Sequence, residues 1–136
     1  MNDQIFYGIL MLSLRCIAGF LFFFQAYDKL FRIGTNNVVQ QFQPSMPSVP
    51  GSVLYIGILL SGITELAGGV LLLAGLWTPY AVVLLLLNLT AVAISFSVIR
   101  PMWDMQYYFP RLAIIVAIAL LPAEWDVYSL GSLLIK

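Results

Sequence analysis

The chain has 136 residues, 62% of them hydrophobic and 9% charged, and a domain this small cannot bury so much apolar surface in its own core. The excess must face lipid. Six basic residues balance six acidic ones with no Lys or Arg run, and there is no histidine, so nucleic acid is not an expected partner and most haem, zinc and iron site designs are excluded.

The single cysteine, Cys16, rules out an internal disulfide or a CxxC redox couple and reads as a small apolar helix residue. The N-terminal MNDQIFYGILML lacks a cationic n-region, and the apolar stretch after it outruns a signal peptide's core, so it reads as a retained span. Apolar stretches over residues 5–27, 53–77, 80–99 and 107–121 are each expected to cross the membrane as a helix, the fourth being short. The expected fold is all-α: one integral membrane domain over residues 1–136, a transmembrane four-helix bundle with a short interfacial helix in its first loop.

That loop helix is expected in TNNVVQQF, with Thr35 as N-cap and Val38, Val39 and Phe42 at helical spacing. Pro44, Pro47 and Pro50 then recur every third residue, as in polyproline II; a stiff return to the second span is favoured over a docking peptide. The WTP connection at residues 77–79 makes the second and third spans antiparallel neighbours. Asp28, Lys29, Trp77, Tyr80 and Trp103 are expected at the membrane interface, with Asp28 and Lys29 paired to each other or to lipid head groups. Lys29, Arg32, Arg100 and Arg111 place both long loops in the cytoplasm and both termini outside. Residues 122–136, opened by Pro122, are expected to lie along the membrane surface.

Three strongly polar residues sit near the bilayer centre: Glu65 about 18 Å from either edge of its span, Arg15 about 15 Å deep and Asn88 about 12 Å deep, at 1.5 Å per residue. On helical projection Glu65 shares a face with Gly57, Ser61, Gly68 and Gly75, and Arg15 shares one with Gly8, Gly19, Phe22, Ala26 and Lys29. Small residues line helix contacts in membranes, so these faces should turn inward and bring Arg15, Glu65 and Asn88 together. An Arg15–Glu65 pair is expected, either as a fastener of helix register or as the lining of a pocket for a polar head group such as a quinone carbonyl. No nucleophile stands beside a base and no metal-ligand spacing is present, so no catalytic residue, metal or covalently bound cofactor is expected; a solute carrier is disfavoured because paired repeats are lacking.

The segment LRCIAGFLFFFQAYDKLF, then ELAGGVLLLAGLW and the ending YSLGSLL resemble the DoxX family of small four-span bacterial membrane proteins. The resemblance implies a four-helix bundle in the bacterial cytoplasmic membrane, with recurring polar positions at Arg15, Lys29 and Glu65. It also implies a link to redox chemistry, since relatives include quinone-linked subunits of thiosulfate oxidation and a partner of secreted oxidative-stress enzymes. Many relatives carry His-Gly where this chain has Gln25-Ala26, so a proton role for that histidine is absent here. The expected function is therefore a subunit or scaffold of a redox-linked membrane complex, with the lipid bilayer and other membrane proteins or further copies of the chain as partners. The alternative is an oxidoreductase subunit that binds a quinone near Arg15 and Glu65.

Overall fold

A computed structural model describes residues 2–99 and 105–134, excepting the side chains of residues 96, 98, 99 and 105–107. Among the described residues the regular structure is helical: α1 (Asp3–Tyr27), α2 (Thr35–Phe42), α3 (Gly51–Ala74), α4 (Thr78–Ile99), α5 (Met105–Leu120) and α6 (Leu130–Leu134). Helix α1 continues through a π-helical turn, Asp28–Arg32, as one rod of 30 residues. This rod, α3 and α4 are long and apolar enough to cross a membrane; α5, with 16 residues and Pro110 inside it, is shorter than a full crossing.

The pair α1 and α3 forms the spine of the bundle, and glycine makes their approach possible. A Cβ on Gly69 would stand 2.8 Å from the backbone nitrogen of Phe23, and one on Gly19 would stand 2.7 Å from Leu73. Backbones this close gain dispersion contact that larger residues would forbid in lipid. Gly68 admits Leu85 of α4 in the same way, and Met11, Ala18, Phe22, Leu72, Leu85 and Ile115 fill the centre. The outer faces carry Phe20, Phe24, Ile56, Ile63 and Leu87 exposed, as lipid contact requires. Gly69→Val is expected to force α1 and α3 apart and destabilise the bundle by about 2–3 kcal/mol, measured as denaturant unfolding in detergent micelles; an unchanged midpoint would contradict this packing.

At the end of α3, Gly75 takes the left-handed conformation (φ 66°), while the Leu76 N–H donates to the Leu71 carbonyl at 3.0 Å and the Gly75 N–H to that of Leu72 at 3.2 Å. These two bonds close the helix in a Schellman turn. Trp77 follows at φ 48°, and α4 begins at once with Thr78 and Pro79, so α3 and α4 form a tight antiparallel hairpin.

Two expectations are corrected at this level. Thr35 is the first residue of α2 rather than its cap: Gly34, at φ 83°, turns the chain, while Thr35 and Val38 are buried as α2 lies on α3. The proline segment is not polyproline II, because Gln43–Ser45 forms a 3-10 turn and the Gln43 amide donates to the carbonyls of Met46 at 3.3 Å and Val49 at 2.9 Å. That side chain ties the segment into a compact return. The tail also packs onto the bundle. Trp125 stacks on Tyr7 with ring centroids 3.9 Å apart, Val127 and Tyr128 pack over Gly8, and the Gly131 N–H donates to the Gly75 carbonyl at 3.1 Å, so the tail caps the turn end of the bundle.

Candidate functional site

Glu65 lies mid-way along α3 and is 2% exposed, so its carboxylate needs partners from its own bundle. Four side chains provide them. Lys29 Nζ donates to Oε2 at 2.9 Å, and Oε1 accepts from Asn88 Nδ2 at 3.1 Å, from Ser61 Oγ at 3.3 Å and from Gln25 Nε2 at a long 3.5 Å. Lys29 Nζ also donates to Ser61 Oγ at 3.2 Å. Ser61 is one turn before Glu65 on α3, which puts the hydroxyl alongside the carboxylate. Lys29 comes from the π-helical turn, where the wider coil changes the side-chain register at the end of α1. Its own side chain is 17% exposed, so the cation stands between the carboxylate and the outside of the bundle.

Arg15 is elsewhere. It is 1% exposed, its Nε is 3.1 Å from Asp126 Oδ1, and its Nη2 donates to the Tyr128 carbonyl at 2.7 Å. Thr78 Oγ1 holds the other oxygen of Asp126 at 3.0 Å. The expected Arg15–Glu65 clasp is thus replaced by two separate ion pairs, Lys29–Glu65 toward the α2 end and Arg15–Asp126 toward the α3–α4 turn.

The reason is register. Gly19 faces Gly69 and Leu73, and Leu30 faces Gly62, so the antiparallel helices set Lys29 beside Ser61 and Glu65, and Arg15 beside Gly75. A side chain at Gly75 would run into the Arg15 guanidinium. Along one continuous helix Arg15 and Lys29 are about 21 Å apart, too far to share a carboxylate. Counting depth from the edges of the apolar stretches missed this, because α1 does not end at its last apolar residue.

The other residues singled out from the sequence fall in varied places. Asp28 pairs with Arg32 at 2.9 Å and not with Lys29. Trp77 and Tyr80 are 71% and 76% exposed beside the hairpin turn. Gly8, Gly19 and Gly68 sit at contacts, whereas Gly57 faces open space. Trp103, Arg100 and Lys136 lie outside the described residues. Asp126, Gln25 and the partnership of Lys29 are what sequence reasoning missed. Charge balance was the available signal: two cations on the inner face of α1 and one carboxylate in the spans leave a cation to be matched from the tail.

Around the Lys29–Glu65 pair the helices part. Beyond Leu89 no described residue of α4 is buried, and the space between α3 and α4 widens toward α2 into a cleft of about 1000 Å³. Lys29, Ser61, Glu65 and Asn88 form its polar wall, Val38 and Phe42 of α2 and Met46 and Val49 of the loop close one side, and Tyr108 and Arg111 approach from α5. Leu60, Leu87 and Ile94 also line it and are 59%, 65% and 62% exposed, so the cleft opens sideways at the lipid-facing surface. An apolar chamber with a few convergent polar groups and a lipid-side mouth suits an amphiphile with a hydrogen-bonding head.

Long apolar helices carrying buried ion pairs define a small α-helical membrane protein. The DoxX family model matches residues 10–99, about two thirds of the chain, and the chain belongs to that family. No curated protein and no solved structure matches it. The matched segment holds Arg15, Gln25, Lys29, Ser61, Glu65 and Asn88, whereas Asp126 and the capping tail lie beyond it.

Proposed function

We propose that this protein is a subunit of a redox-linked complex of the bacterial cytoplasmic membrane and that its cleft holds the head group of an isoprenoid quinone. The observation that carries the reading is the Lys29–Glu65–Asn88 cluster at the polar wall of a cleft open to lipid. Lys29 and Asn88 each have a donor hydrogen beyond the bonds described, which suits a quinone carbonyl, and Glu65 Oε2 has acceptor capacity for a quinol hydroxyl. Arg15 takes no part, since the tail occupies it. Lys29, Arg32 and Arg111 put the α2 end on the cytoplasmic side under the positive-inside rule, leaving the capping tail outside.

The test is gentle purification from the native membrane followed by solvent extraction. The wild type is expected to retain quinone and to bring companion polypeptides with it, and Glu65→Gln to retain at least tenfold less quinone while staying monodisperse. Equal quinone in both preparations, or none in the wild type, would sink the binding site; a wild type that purifies alone would sink the subunit.

A further inference from the structure

Gly57 is the helical glycine that packing does not explain. At Gly8, Gly19, Gly62, Gly68 and Gly69 an added Cβ would come within 3.0 Å of a neighbour, but at Gly57 it would meet nothing within 4 Å. Glycine inside a helix is costly relative to alanine, so a bare position in mid-helix asks for a reason. Its location offers one. Gly57 lines the cleft, one helical turn before Ser61 and two before Glu65 on the same side of α3. Val38, Phe42 and Met46, large apolar side chains, also line the cleft from the α2 side.

We propose that Gly57 is the specificity-determining position of the cleft: its missing side chain leaves the room that a planar ring needs to lie against α3 in the cleft with its oxygens at Lys29, Glu65 and Asn88. This rests on the quinone reading above and adds which residue sets the size of the head group admitted. Gly57 makes no hydrogen bond to the head group; it acts by the volume it leaves empty. Filling that volume should exclude the ring without disturbing the helix contacts, because a Cβ there meets nothing within 4 Å.

The experiment measures binding of a short-tailed benzoquinone, decylubiquinone, to the purified full chain in detergent, together with the melting temperature without ligand. Gly57→Leu is expected to weaken binding at least tenfold and Gly57→Ala about threefold, with melting temperatures equal to or above the wild type's. A Gly57→Leu variant that binds as tightly as wild type, while Glu65→Gln loses binding, overturns the role of Gly57 and leaves the quinone site standing. A melting temperature lowered in both Gly57 variants overturns it too, since the position would then serve packing. If the wild type does not bind the probe, the quinone reading falls and this assignment falls with it.

Discussion

Lys29→Met is expected to destabilise the protein by about 3 kcal/mol, close to the lower end of what breaking a buried ion pair costs, because Lys29 keeps a small exposed fraction. The loss comes less from the missing attraction than from Glu65, left 2% exposed with only neutral donors from Asn88, Ser61 and Gln25. The double variant Lys29→Met/Glu65→Met removes both charges and should recover most of the stability, since an apolar pair of similar volume leaves no uncompensated ion. Denaturant unfolding of the four members of this cycle in one detergent yields the coupling directly. A single Lys29→Met variant as stable as wild type would mean that the carboxylate draws its support elsewhere.

Arg15→Met should cost a similar amount, about 3 kcal/mol, but with a different signature. Arg15 is the hub on which the tail docks, through Asp126 and the Tyr128 carbonyl, and the wall it presses on is the Gly75 turn. Without it, the Asp126 side chain keeps only Thr78, and the cap is left to the stacking of Trp125 on Tyr7, the packing of Val127 and Tyr128 over Gly8 and the Gly131–Gly75 backbone bond. Hydrogen exchange over residues 123–134 is therefore expected to rise by at least an order of magnitude while exchange in the centres of α1 and α3 changes much less. Uniform acceleration along the chain, or none in the tail, would contradict the division of the structure into two independently anchored ends.

The all-α class with its long apolar helices and the hairpin between α3 and α4 were legible because lipid leaves the backbone few alternatives and the apolar stretches are sharply bounded, whereas α6 in the tail was not expected. Part of the inward faces was legible too: Lys29 falls on the Arg15 side of α1, and Glu65 and Asn88 on faces that the structure brings to 3.1 Å, while Gly57 of the same stripe stays open. What the sequence did not reveal was the sliding register of α1 against α3. Glycine contacts at Gly19 and Gly69 set it, and a stripe of small residues admits several offsets one turn apart. The π-helical turn that carries Lys29 to Glu65 has no sequence signature, and the tail offered only acidic and aromatic residues that suit an interface as well as a cap. The cleft was illegible for a related reason, as it comes from the divergence of two helices rather than from any residue pattern.

The Arg15 contacts join residues more than one hundred positions apart, the bond to Tyr128 spanning 113. Synthesis delivers the first helix to the bilayer long before Asp126 exists, and an arginine at a helix centre costs roughly 2.5–3.5 kcal/mol on insertion scales. Until residue 126 emerges, this cation lacks the Asp126 carboxylate that pairs with it in the folded chain and must rely on water or head groups drawn toward it. A nascent chain halted before residue 126 would therefore hold its first span at a disadvantage that the arrival of Asp126 removes.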